Sequence, residues 1–242
     1  MKLRSLICGF ALAVAGAAAA AVATSSNTCG LMNVPSDAKC TMIAVPWLNV
    51  GAGDVLVAKL VKTDTLTAGD KLYYYNGSAF EVWELKDGAW TAVTTVGEVN
   101  GVTTAAAAAD KTIARGQALW LERSDVSKEI WLYGQYTAEA ASVAVAANAY
   151  TMVANPLATD FDLNSKKVQG ATGDQISFPS DDGAGELYTY DGTNWTRTTV
   201  VKKTIGGKER DVKTTTTEGC VIPAGKGAWY VSKGGSPTIS WN

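Results

Sequence analysis

TMIAVP, Thr41 to Pro46, returns 110 residues later as TMVANP, Thr151 to Pro156. Each copy is followed by the same landmarks in the same order. A Gly-Asp pair comes first (Gly69-Asp70, then Gly173-Asp174), an Asp-Gly turn leading into Trp-Thr follows (Trp90-Thr91, then Trp195-Thr196), and Gly-x-x-x-Trp closes the series (Gly116 to Trp120, then Gly225 to Trp229). Met42 lies 78 residues before Trp120, and Met152 lies 77 before Trp229. A duplication at this period predicts two tandem units before any fold argument begins.

Between these landmarks the residues read as strands. Thr, Val and Tyr alternate with polar residues in KLYYYNG, FEVWELKDG, WTAVTTVGEVNGVTT, ELYTYDG and WTRTTVVKKTIGG. Asn76-Gly77, Asp87-Gly88, Asn100-Gly101, Asp191-Gly192 and Gly206-Gly207 are the expected turns, because tight hairpins need residues that tolerate positive φ. Short connections of this kind predict antiparallel neighbours. The expectation is an all-β protein of two tandem antiparallel units, each a β-sandwich or a small barrel, after an N-terminal signal helix. The plan is residues 1–23 as signal peptide, 24–136 as the first unit, 137–149 as a linker and opening strand, and 150–242 as the second unit.

The signal peptide is read from Lys2 and Arg4 ahead of a long apolar run that closes on Ala21-Val22-Ala23, a small-x-small site. Cleavage after Ala23 leaves 219 residues and moves the formal charge from −2 to −4. No second apolar segment of spanning length follows, so no membrane span is expected in the mature chain. Its lysine clusters, Lys166-Lys167 and Lys202-Lys203, are short, and nothing concentrates the basic face that nucleic acid needs. An exported chain meets an oxidising compartment, so the close pair Cys29 and Cys40 is the expected disulfide, with Cys220 left over as a small buried residue. The sequence has no His, which removes His-ligated metals and His-dependent triads.

Trp90, Trp195, Trp120 and Trp229 recur at matching places and are therefore expected in paired cores. Three consecutive tyrosines, Tyr73, Tyr74 and Tyr75, cannot all point inward from one strand, which makes them the aromatic ligand-binding candidates. Asp181 and Asp182 with Glu186, in SDDGAGE, form the acidic loop best suited to hold Ca²⁺ weakly, the one cofactor the sequence admits. Asp160, Asp162 and Asn164 alternate like a calcium loop but lack its glycine. Asp70 and Asp174 recur in both repeats, which argues for a shared turn-capping role over catalysis. A carboxylate-dependent glycosidase, the third reading, would need two acids at a set separation, which no sequence spacing can show.

Repeat two carries VANP (153–156), GDQI (173–176), LYTYDGTNW (187–195) and IPAGKGAW (222–229). In these it resembles exported, duplicated all-β surface proteins of Gram-negative bacteria, whose units carry G-N-P or V-P, G-D-x-I/L, Y-D-G-x-W and I-x-P-G-x-x-F/W motifs. Repeat one departs from them at AVPW (44–47) and IARGQALW (113–120). The resemblance implies export to the periplasm, cell surface or exterior, and lends no catalytic residue. The expected function is that of a non-catalytic structural or adhesive surface protein, with envelope or matrix proteins or polysaccharide as partners. A pair of carbohydrate-binding modules is the alternative.

Overall fold

The computed structural model describes residues 29–46, 54–99, 102–135, 140–178, 186–206 and 208–241. The signal peptide expected over residues 1–23 and the Asn100-Gly101 turn lie outside them.

Among the described residues twenty-one strands and one helical turn follow in chain order. The amino-terminal part holds β1 (Cys29–Asn33), β2 (Cys40–Ala44), β3 (Val55–Leu56), α1 (Val57–Leu60), β4 (Lys71–Tyr75), β5 (Phe80–Lys86), β6 (Ala89–Ala92), β7 (Gly97–Val99), β8 (Val102–Ala105), β9 (Thr112–Ile113), β10 (Ala118–Glu122) and β11 (Trp131–Gln135). The carboxy-terminal part holds β12 (Ala141–Ala144), β13 (Tyr150–Ala154), β14 (Phe161–Asp162), β15 (Gln175–Ser177), β16 (Leu187–Tyr190), β17 (Trp195–Ile205), β18 (Lys208–Thr216), β19 (Val221–Ile222), β20 (Gly227–Val231) and β21 (Thr238–Trp241). The protein is all-β, in several sheets, and none of the described sheets closes into a barrel.

Two large sheets dominate. One runs β2-β10-β4-β5-β8-β7 with β6 also on β5, and the other runs β13-β20-β15-β16-β17-β18. Four two-stranded ladders flank them: β1-β11, β3-β9, β12-β21 and β14-β19. The stretch expected as a linker thus contains β12, which is built into a ladder with the carboxy-terminal strand. Pairing is antiparallel apart from β5 with β8, which is parallel, because the chain crosses from β6 through β7 before β8 returns beside β5.

Local chemistry explains the turns. Asp87 and Gly88 both have positive φ, 49° and 76°, so β5 and β6 meet through a two-residue turn of the type that matches strand twist. Asp70 and Asp174 are both buried and do the same work. The Asp70 carboxylate accepts from the Thr67 and Ser124 amides at 2.9 and 2.8 Å, and that of Asp174 from the Ala171 and Lys233 amides at 2.8 and 2.7 Å. Each charge is compensated by backbone donors, which is what allows a carboxylate to sit inside.

Each large sheet covers its own core. Ile43, Leu72, Trp83, Trp90, Leu119 and Leu132 belong to the first, and Val153, Phe161, Tyr188, Trp195, Tyr230 and Trp241 to the second. A third cluster of Met42, Ala44, Ala118, Met152 and Ala154 joins the sheets. The join is reciprocal. The Ala44 amide donates to the Gly225 carbonyl at 2.8 Å, and the Ala154 amide donates to the Gly116 carbonyl at 2.7 Å. Gly225 backs onto Met32 and Val34, while Gly116 backs onto Val143 and Trp241. At its centre a Cβ on Gly227 would stand 2.7 Å from the Ala118 Cβ, so glycine is required for the strands to approach.

Candidate functional site

The tyrosines singled out from sequence divide by strand alternation. Tyr73 is buried and donates to Glu122 Oε2 at 2.7 Å; burial first, then that hydrogen bond, pushes its hydroxyl well above the usual tyrosine range. Tyr74 accepts from Gln117 Nε2 at 3.4 Å and lies beneath Lys111, 4.8 Å from its ring centre. Tyr75 donates to the Gly77 carbonyl at 2.9 Å and packs against Phe80. Of the three candidates Tyr73 is buried and Tyr74 and Tyr75 are half-buried, whereas Tyr133 and Tyr150 are the exposed aromatic side chains among the described residues.

Trp90 and Trp195 are core, and each indole N–H reaches a backbone carbonyl, Val61 at 3.3 Å and Val168 at 2.9 Å. Trp120 and Trp229 are half-buried beside the cluster that joins the sheets. Around Trp229 stand Tyr75, Phe80 and Tyr150, with ring centres 5.6, 6.1 and 6.2 Å away and planes crossing at 72°, 86° and 89°. Rings in edge contact at these distances cement a packed seam, and they present no flat platform at Trp229.

The acids are largely spent on structure. Asp160 accepts from the Ala224 amide, and Asp162 from the Asn164 and Ser165 amides. Asn164 bridges the start of β17 and the loop after β18 through Trp195 and Thr217. Of the proposed calcium loop, Asp181 and Asp182 lie outside the described residues, and Glu186 is exposed, paired with Arg197 and accepting from Tyr188. Among the described residues no group of three or more His, Cys, Asp or Glu converges on a metal position.

Cys29 opens β1 on the ladder with β11, whereas Cys40 opens β2 on β10. No disulfide is seen among the described residues; the Cys29 side chain lies outside them, so the pairing expected with Cys40 is not part of the fold as described. Cys220 is fully buried, its thiol faces the Trp195 carbonyl at 3.4 Å, and burial pushes it up to about 11.

Beneath the loop from β1 to β2 is a cleft of about 290 Å³ whose wall includes Ser36, Cys40, Thr41 and Lys226. The Lys226 ammonium donates to the Pro35 carbonyl, stitching β20 to that loop. Desolvation, with the buried Arg123 guanidinium adding repulsion, brings its pKa down to about 8. Arg123 itself holds the loop through the Ser36 and Ala38 carbonyls at 2.9 and 2.7 Å.

The two long flanking ladders differ where they face outward. Both are anchored alike: the Val34 amide donates to Ile130 and the Val145 amide to Pro237, each at 2.9 Å. From these anchors Leu31 across from Tyr133, and Asn33 across from Trp131, correspond to Ser142 across from Ser240, and Ala144 across from Thr238. The intervening Leu132 and Ile239 are buried in both, so these pairs share the outer face. One ladder is thus faced with Leu31, 54% exposed, Tyr133, 38% exposed, and half-buried Trp131; the other carries the small side chains of Ser142, Ala144, Thr238 and Ser240. Below Tyr133 opens a groove of about 470 Å³ between α1, the following loop and the β5–β6 turn. Sequence reading missed this face because CGLMN and WLYGQ alternate like any half-buried strand. Its only signal is the contrast between CGLMN with WLYGQ and the corresponding ASVA with TISW.

Compared with known proteins, the chain matches no family model, no curated protein and no solved structure.

Proposed function

We propose that this is an exported, non-catalytic surface protein, made of two tandem β units of one duplicated design, that serves as a structural or adhesive component of the cell envelope or matrix. The observation that carries the reading is the apolar outer face of the β1-β11 ladder. The counterpart ladder folds with Ser142, Ser240 and Thr238 at the same register positions, so stability does not demand Leu31, Tyr133 and Trp131. Exposed apolar side chains that the fold does not need are a contact surface. The reciprocal join supports the same reading, since sheets tied to each other, with Asp70 and Asp174 pinning their loops, suit a component that presents a face.

The test is co-sedimentation of the purified protein with the insoluble envelope and matrix fraction of the producing cell. The wild type is expected to pellet with that fraction, and the L31S/W131T/Y133S variant, which copies the counterpart face, to stay in the supernatant. Equal pelleting of both proteins removes the support for an adhesive face.

A further inference from the structure

β17, which follows the Asp191-Gly192 turn, runs for 11 residues, whereas β6, which follows the Asp87-Gly88 turn, has only 4. Among the described residues β16 pairs with β17 only through Trp195, Thr196 and Arg197. From Thr198 onward β17 and β18 therefore leave the described sheet as a two-stranded ribbon. Such a ribbon is marginal in water until a further strand joins it. β18 ends the sheet, so its outer edge presents backbone groups that no described strand pairs. The loop between the paired residues Ile205 and Lys208 is two residues long, and Gly206 in it has positive φ, 60°. A loop of this kind closes on a hydrogen-bonded pair. Alternation then turns the N–H and C=O of Lys208, Arg210, Val212, Thr214 and Thr216 toward β17, and those of Glu209, Asp211, Lys213 and Thr215 toward the open edge. The Thr198 and Thr215 hydroxyls, 3.1 Å apart, agree, since facing side chains come closest at a pair that exchanges no backbone bonds.

We infer that β18 is a self-pairing edge, through which two copies of this chain join antiparallel about a two-fold axis at Val212. The order of charges along the strand selects both the occupant and the register. A ladder forms only where outward-turned residues meet outward-turned residues. Centred on Val212, the whole of Lys208–Thr216 overlaps its copy. Asp211 then stands opposite Lys213 of the second copy on both sides of the axis, while Lys208, Glu209 and Arg210 stand opposite threonines. A slip to the next allowed register sets Asp211 against Asp211 in one direction and Lys213 against Lys213 in the other. Opposite charges across a ladder stabilise it and like charges destabilise it. Charged residues on an edge ordinarily guard it against pairing; in this order they exclude the neighbouring registers and admit the central one. Within the hairpin Asp211 is paired in register with Lys202, and Lys213 with Val200. The second copy thus supplies the acid that Lys213 lacks across its own ladder. This edge is separate from the Leu31 and Tyr133 face, and the inference does not depend on the adhesive reading.

Sedimentation velocity over a concentration series up to ~0.5 mM reads the association, with far-UV circular dichroism to establish folding. The wild type is expected to pass from monomer to dimer as concentration rises. K213D sets an aspartate against Asp211 on both sides of the axis, and D211K sets a lysine against Lys213; each should weaken dimerisation about tenfold or more. Mixing the two folded variants should restore the dimer, because each supplies the charge that the other needs. In the wild type, amide exchange at Glu209, Asp211, Lys213 and Thr215 should slow as the dimer fills, while that at Arg210 and Thr214, already bonded to β17, should not change. A wild type that stays monomeric, a K213D that dimerises as tightly as the wild type, or a mixture no tighter than its components overturns the assignment. So does dimerisation that L31S/W131T/Y133S abolishes and K213D leaves intact, since the copies would then meet through the other face.

Discussion

Lys226 shows how a single half-buried side chain registers its surroundings. Its pKa lies near 8 in the folded protein against an ordinary 10.5, so between these values the unfolded chain holds more protons than the folded one. Stability tied to this residue therefore rises with pH across that window. At higher pH the buried hydroxyls of Tyr73, Tyr188 and Tyr230 act in the opposite sense. Their folded pKa values lie above the ordinary 10.0, chiefly through desolvation, so the unfolded state ionises first and stability falls as pH climbs past 10.0. Urea midpoints at pH 7.5 and 9.5 test the first half: the wild type should gain on K226M between the two pH values, and parallel midpoints would refute the account. Cys220 offers a second check. With no exposure and a raised pKa its thiol should resist maleimide in the native protein and react promptly in denaturant, as read by peptide mapping.

Among the elements, the β5–β6 and β16–β17 hairpins show what could be read in advance. The Asp-Gly pairs marked both turns, and the two tryptophans behind them both entered cores. Gly88 has positive φ and open space around the position of a Cβ, so G88A should lose stability through backbone strain alone, about 1 kcal/mol by denaturant titration. Strand equivalence was harder to read. LYYYNGSAF (72–80) matches LYTYDGTNW (187–195) more closely by letter than the FEVWELKDGAW stretch does. The ladders decide otherwise: the Leu85 amide donates to Asp70 at 2.8 Å as the Tyr190 amide donates to Asp174 at 2.9 Å. A hairpin turn needs the same few residue types wherever it occurs, so local likeness reports turn chemistry and not position in a sheet. The outward face of β1-β11 was hidden for a related reason. Period two shows that side chains alternate, and says nothing about which face another layer covers.

Across the whole molecule, the reciprocal join makes the two large sheets interdependent. Gly227 and Ala118 meet at its centre with no room for a second methyl, so G227A should cost about 1–3 kcal/mol. The double variant A118G/G227A moves the methyl to the other side and should recover much of that loss. A double-mutant cycle measures the coupling, and strict additivity would show that the two residues do not share the space. The strand content, the hairpin turns and the shared loop-pinning role of Asp70 and Asp174 were legible because each depends on residue types at short range or on landmarks that recur along the chain. The meeting of Met42 with Met152, the enclosure of Tyr73, the lowered basicity of Lys226 and the exposure of Leu31 and Tyr133 were decided only when the sheets packed. Burial and desolvation belong to surfaces brought together from distant parts of the chain, and no residue carries them alone.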